Sequence, residues 1–244
     1  MTDARPFGPG SLDALRDLGP FFVVRTHGEG PPPAPWSPVT DLLADLAPRV
    51  EQVRAYLASG VGPDPSGVEL RVAASVMHLG LVARLVSPWV GLAARDGILL
   101  PVGVDDLWWI PSLGGGFELS VASRALDRAR PGPLDAWAVE LVRDLLAPLV
   151  DAVQGSPSVL WGNTASAVNG AVIAGSATHP ELSARLRTVA DALLAGLPGP
   201  GGAGVHTGRV GTSGFRRRSC CLIYRVGGDA RPRAVCGDCI LPMS

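Results

Sequence analysis

The stretch RRRSCCLIYRVGGDARPRAVCGDCILP, residues Arg216–Pro242, holds all four cysteines of the 244-residue chain. Cys220 and Cys221 are adjacent, and after a spacer of 14 residues Cys236 and Cys239 form a C-x-x-C pair. A chain that has no cysteine elsewhere and gathers four in one short segment is using them together. Three uses compete: two disulfides, a structural zinc ion and an iron–sulfur cluster.

The cysteine pattern favours a metal centre over disulfides. The first ten residues show no basic segment followed by an apolar one, so we expect no export signal and a reduced compartment. Clustered cysteines there are more often metal ligands. Structural zinc sites usually take their cysteines from two spaced knuckles, whereas Cys220–Cys221 has no spacer and needs a bent backbone. A two-iron cluster offers two metal atoms to four thiolates, and zinc stays the alternative.

The same residues resemble a known family. RRSCC, an apolar-aromatic segment and CGDC near the C-terminus are similar to the FhuF-type ferric siderophore reductases, whose C-C-x10-C-x2-C motif holds a [2Fe–2S] cluster. The spacer is longer here, and its extra residues fall in a turn-forming part. The resemblance implies that Cys220, Cys221, Cys236 and Cys239 ligate a [2Fe–2S] cluster. It also implies that the protein reduces ferric siderophore iron to ferrous iron.

Before the cysteine segment, the resemblance rests on Leu160-Trp161-Gly162-Asn163. Similar proteins carry a Trp-Gly-Asn-type element, so Trp161 and Asn163 are candidates for the substrate or cluster environment. Asn163, Ser166 and Asn169 step by three along a predicted helix, which gives a short polar ridge among small residues. Packing between two helices is the simpler interpretation of the same pattern.

Arginines flank the cysteines on both sides. A reduced cluster with four thiolates carries a charge of about −3, and buried anionic charge needs compensation. Arg216, Arg217 and Arg218 are therefore predicted to lie in the cluster environment, where they would favour the reduced form and attract an acidic donor or an anionic iron chelate. A solvated basic loop is the alternative. His206 is interpreted as a surface residue, since four cysteines already complete a cluster.

The composition excludes several functions. The net charge is −1 and every basic residue except histidine is arginine, so no nucleic-acid partner is predicted. The apolar stretch 67–86 is interrupted by Arg71, His78 and Arg84 and is predicted to end at Pro88, so no transmembrane segment is predicted. We expect a cytoplasmic protein, with peripheral association with the inner face of the membrane as an alternative.

The predicted fold class is α+β: a mostly helical body with a small antiparallel sheet and a C-terminal cysteine-rich cluster-binding segment. The body spans residues 1–197, a Gly/Pro-rich linker 198–214 and the [2Fe–2S]-binding segment 215–244. The predicted strands are a short one over 21–25 and the antiparallel ones between 98 and 121. The predicted helices span about 37–60, 67–86, 133–153, 157 onward and 181–197.

The predicted activity is that of a ferric siderophore reductase, an oxidoreductase that transfers one electron at a time. The chain has no G-x-G-x-x-G fingerprint followed by the required acidic residue, so neither nicotinamide nor flavin is predicted. Its partners would be a ferric siderophore and an external electron donor such as a ferredoxin or a reductase. Two alternatives stay open at this point: a zinc-stapled binding protein without catalysis, and an iron–sulfur sensor.

Overall fold

The computed structural model describes residues 9–60, 62, 64–113, 117–198, 207–209, 215–226 and 236–240. The chain is mostly helical, as predicted. The helices are α1 (Pro9–Asp13), α2 (Val39–Ala44), α3 (Ala47–Ser59), α4 (Leu70–Asp96), α5 (Ser123–Leu126), α6 (Leu134–Leu141), α7 (Ala147–Ala152), α8 (Pro157–Thr178) and α9 (Ser183–Gly196). The strands are β1 (Arg25–His27), β2 (Ser37–Pro38), β3 (Leu107–Ile110), β4 (Glu118–Ala122), β5 (Thr207–Arg209) and β6 (Phe215–Arg217).

Helix α4 is the central element of the body. It packs against α3, α8 and α9, and most of its side chains are buried. By length and composition it could cross a membrane, but 78% of its most apolar window is buried inside the protein. A helix that is apolar all round is typical of a protein core as well as of a bilayer.

The prediction that Pro88 ends this helix is wrong. Pro88 lies inside α4, which continues to Asp96 and ends at Gly97 in the left-handed conformation. Proline removes one backbone donor from the helix. The neighbouring turn is supported from outside, because the buried Arg84 side chain donates to the carbonyl oxygens of Phe117 at 2.7 Å, Phe21 at 3.1 Å and Val23. The helix continues past Pro88 with its side chains buried against the neighbouring helices, so tertiary packing holds it together across the missing bond.

The sheet of the body is mixed, which corrects the prediction of an antiparallel sheet. Its strand order is β1-β4-β3-β2, with β4 antiparallel to β3 and β3 antiparallel to β2. Strand β1 pairs parallel to β4, with Arg25 opposite Ser120. The β3–β4 pair joins strands that are neighbours in sequence, whereas the pairs β2–β3 and β1–β4 join strands that are distant in sequence.

Two further helix predictions differ from the structure. The predicted helix over 37–60 is a strand β2 followed by two helices, α2 and α3. The predicted helix over 133–153 is α6, one π-helical turn at Val142–Leu146 and α7 in direct succession. Trp137 of α6 is buried and its indole nitrogen donates to the Leu100 carbonyl at 3.0 Å, which ties this helix to the body.

The main hydrophobic core is formed by buried residues between Leu12 and Leu197. Most of the predicted linker 198–214 lies outside the described residues. Within it, strand β5 pairs antiparallel with β6, which begins the cysteine segment. The proposed division into a body and a C-terminal segment stays a prediction.

Candidate metal centre in the C-terminal segment

The described part of the cysteine segment packs on α4 and α8. Ser75 of α4 donates its hydroxyl proton to the Cys221 carbonyl at 2.8 Å. Arg217 donates from Nη2 to the Val159 carbonyl in the first turn of α8 at 3.2 Å. The described part of the segment therefore lies against α8, the helix that carries Trp161 and Asn163.

A glycine on α8 permits the close approach. A Cβ built on Gly162 would lie 2.0 Å from Ser219 Oγ and 3.0 Å from Arg217 Nη2. The distance of 2.0 Å is more than a full ångström shorter than the normal separation between a carbon atom and a non-bonded neighbour. The segment is therefore seated at a place where only glycine fits without a shift.

A second contact lies farther along the same helix. Asn169 donates from Nδ2 to Asp238 Oδ1 at 3.2 Å, and the Ser166 hydroxyl is close enough to lower the pKa of that carboxyl. Burial acts more strongly and in the opposite direction, so the pKa of Asp238 lies above its usual value. Gly162, Ser166 and Asn169 follow the helical repeat, and this face of α8 therefore receives the segment.

The thiols influence one another's protonation. Cys221 and Cys236 are hydrogen-bonded to each other, and the charges of Cys221 and Cys239 act to raise the pKa of Cys220. Cys221 is buried, with 4% of its surface exposed, and the other three are half-buried. The Cys239 amide donates to the Cys236 carbonyl at 3.1 Å, which forms the tight turn expected of the C-x-x-C pair.

The backbone bends directly after the adjacent pair. Leu222 has a φ of 67°, and among the described residues it alone combines a positive φ with a side chain. Its amide lies 3.3 Å from Cys220 Sγ, to which it donates. A left-handed conformation is unfavourable for leucine and persists only where the surroundings require it. The sequence predicted a bend at the doublet, and Leu222 supplies one.

The protonation of the thiols is set by their contacts. The hydrogen bond from Cys236 lowers the pKa of Cys221 to about 6, and the same bond raises the pKa of Cys236 above its usual value. Ionisation of Cys221 is thus coupled to protonation of Cys236, because the remaining proton is shared in their hydrogen bond. Burial raises the pKa of the Cys220 thiol.

Only one of the three consecutive arginines lies at the thiols. Arg217 is buried, with 2% of its surface exposed, while Arg216 and Arg218 are exposed. The Arg217 charge lowers the pKa of Cys220, Cys221 and Cys236. Alternation along strand β6 accounts for the difference, because neighbouring side chains of a strand point to opposite sides.

The two candidate residues of α8 occupy different environments. Asn163 is fully buried and donates from Nδ2 to the carbonyl oxygen of Ser75 at 2.9 Å and to its hydroxyl oxygen at 3.1 Å. Because Ser75 bonds the Cys221 carbonyl, Asn163 supports the cysteine segment through one intermediate residue. Trp161 is buried in the main hydrophobic core, so its structural contribution is packing.

His78 is buried near enough to this site for the charge of Arg217 to act on it. It is fully buried on α4, and its two ring nitrogens have no hydrogen-bond partner among the described residues. Burial, and secondarily the charge of Arg217, lowers its pKa to about 3. The signal in the sequence was the polar stripe of Arg71, Ser75 and His78, of which Ser75 and His78 face the segment. Gly162, Ser219 and Asp238 gave no comparable signal.

The thiols do not form a closed ligand set as they stand. Among the described ranges, which include all four cysteines, no group of three or more histidine, cysteine or acidic side chains is placed so that it could hold a metal ion. The chemistry of the donors nevertheless fits an iron–sulfur cluster, since the segment supplies four thiols and the charge of the buried Arg217 acts on three of them. The assignment of the four cysteines as ligands stays a prediction.

Comparison with known proteins adds no family: no protein-family model matches the chain, and no curated protein matches it. The resemblance to the siderophore reductases therefore rests on the motif residues themselves.

Proposed function

We propose that this chain is an iron–sulfur protein that reduces ferric siderophore iron to ferrous iron by one-electron transfer. The observation that carries the proposal is the seating of the four-cysteine segment against α4 and α8, with the charge of the buried Arg217 acting on three of its thiols. The ferrous ion is held more weakly by such chelators, so reduction releases the iron. The activity class comes from the motif resemblance, and the contacts support the grouping of the thiols.

Cys220, Cys221, Cys236 and Cys239 would hold the [2Fe–2S] cluster, which supplies one-electron chemistry when bound. The protein's own contribution is electrostatic. Arg217 is a fixed cation that already favours thiolates at three of the four cysteines, and it would favour additional negative charge in the same way. Its hydrogen bond to Val159 holds the cation in place.

Other parts of the segment are suited to the partners. Arg216 and Arg218 are exposed next to the thiols, where their charge would attract an acidic ferredoxin or reductase, or an anionic iron chelate. Arg225 is already paired with Glu69 at 2.5 Å, so it anchors the segment to the start of α4. We propose that docking of the donor uses the exposed pair Arg216 and Arg218.

One observation favours a second candidate, a zinc-stapled binding protein without catalysis. Leu222 and Val226 of the segment pack against a small apolar cluster formed by Ala58, Val68 and Val72. The segment therefore covers apolar surface of the body, as a structural staple does. Four thiolates also complete a tetrahedral zinc site.

Substitution of one ligand separates the two candidates. With a cluster, Cys236→Ser removes the visible absorption bands and brings ferrous release from a ferric hydroxamate to background. The far-ultraviolet circular dichroism changes little, because the main core is built from residues before 198. The proposal is wrong if the variant reduces the chelate at the wild-type rate with a supplied donor. If the variant instead loses both its bound zinc and its helices, the result would support the zinc-stapled binding protein.

A further inference from the structure

A cavity of about 400 Å³ lies between α3, α4 and the residues that follow β3. Its lining residues are mostly apolar: Phe21, Arg49, Val53, Tyr56, Leu57, Val76, Met77, Gly80, Leu81, Ser112, Leu113 and Phe117. Tyr56 and Leu113 are large side chains with about half of their surface exposed, 51% and 44%. An open, apolar, concave surface of this volume is typical of a small-molecule site.

Arg49 is the charged residue in this lining. It donates to Gln52 Oε1 at 3.2 Å and to the Ser112 carbonyl, and its guanidinium carbon lies 5.5 Å from the centre of the Trp109 ring. These partners are all uncharged. Among the described residues Arg49 has no acidic partner within salt-bridge distance, in contrast to other arginines such as Arg54 and Arg95. A half-buried guanidinium beside an apolar surface is best complemented by an anion.

The floor of the cavity contains a glycine. Gly80 is exposed on α4, and a Cβ built on it meets no atom within 4 Å. The space next to Gly80 is therefore open, and either a larger side chain or a ligand could occupy it. None of the described lining residues belongs to the cysteine segment. Leu57 and Val76 line the cavity and also pack against the small apolar cluster that Leu222 and Val226 cover.

We propose that this cavity binds an amphipathic carboxylate, with the carboxylate on Arg49 and the apolar part along the side chains of α3 and α4. The guanidinium offers the paired donors that a carboxylate accepts. The apolar wall formed by Val53, Met77 and Leu81 removes the apolar part of the ligand from water. The inference is independent of the cysteines and holds whichever metal they bind.

Calorimetric titration of the full-length protein with decanoate, below its micelle concentration, tests the proposal. Decanoate should bind to the wild type, and decanol should bind about tenfold to a hundredfold more weakly because it lacks the charge. Arg49→Gln should weaken decanoate binding by a similar factor while leaving decanol unchanged. Gly80→Leu fills the space and should abolish binding.

The matched control is Gly170→Leu, at an exposed glycine of α8 where an added Cβ also meets nothing within 4 Å. It should bind decanoate like the wild type, and thermal unfolding verifies that both leucine variants are folded. The proposal is overturned if the wild type does not bind decanoate, if decanol binds as tightly as decanoate, or if folded Gly80→Leu still binds it.

Discussion

Replacing Gly162 by alanine should loosen the C-terminal segment from α8. The new Cβ would lie 2.0 Å from Ser219 Oγ and 3.0 Å from Arg217 Nη2. Both residues are buried, and Arg217 is held by its hydrogen bond to Val159. The hydroxyl and the guanidinium must therefore move, and the segment with them.

The magnitude follows from two opposing effects. Inserting a methyl group into a well-packed contact costs about 1–3 kcal/mol. Alanine favours the helix over glycine by about 1 kcal/mol, but this gain stabilises α8 equally with the segment docked or undocked. It therefore does not offset the loss of docking. The undocked population should rise by about fivefold to 150-fold.

The assay is thiol labelling of an apo variant that retains Cys221 alone, since Cys221 is 4% exposed when the segment is docked. When the segment docks again faster than the thiol is labelled, the labelling rate is proportional to the population of the undocked form. Gly170→Ala on the same helix is the matched control, because its Cβ meets nothing within 4 Å. A second substitution, Ser219→Ala, in the Gly162→Ala protein should largely restore the protection of Cys221. It removes the hydroxyl oxygen that lies 2.0 Å from the new Cβ.

The Ser219 hydroxyl has no hydrogen-bond partner among the described residues, so its removal alone should have little effect. The reasoning is refuted if Gly162→Ala labels as slowly as Gly170→Ala. It is also refuted if the Ser219→Ala change fails to slow labelling of the Gly162→Ala protein.

Three further substitutions test other contacts. Arg84→Met leaves three backbone carbonyls without their donor and should lower the free energy of unfolding by about 3–5 kcal/mol in urea titrations; wild-type stability would contradict this. His78 has a folded pKa of about 3 against 6.5 unfolded. The unfolded chain therefore binds a proton first, and stability should fall below pH 6.5 by about 1.4 kcal/mol per pH unit. His78→Met should remove that part of the slope and His179→Gln should not. Arg217→Gln should lower the reduction potential of the loaded protein, measured by redox titration of its visible bands, more than Arg216→Gln does, since Arg217 alone of this pair is buried.

Local patterns in the sequence were sufficient for several elements. Ser156 followed by Pro157 predicted the start of α8, which begins at Pro157 with Ser156 as its N-cap. The helix predicted over 181–197 is α9, which spans Ser183–Gly196. The parallel pairing of β1 with β4 and the passage of α4 through Pro88 could not be predicted, because both depend on residues distant in sequence, notably the carbonyls bound by Arg84.

The same distinction applies to the candidate site. The clustering of the cysteines is visible in the sequence, and so is a stripe containing Ser75 and His78. Strand alternation over β6 could have separated Arg217 from its two neighbours, but only once β6 was known to be a strand. The role of Gly162 depends on which residue of the segment lies above it. A single sequence does not contain that information.

Metal and sulfide analysis of anaerobically purified full-length protein decides whether the four cysteines hold a [2Fe–2S] cluster. We expect a red-brown protein with about two irons and two acid-labile sulfides per chain, together with visible absorption bands that bleach on reduction. A colourless protein that contains zinc, or one that contains no metal after anaerobic purification from iron-supplemented cells, would contradict it.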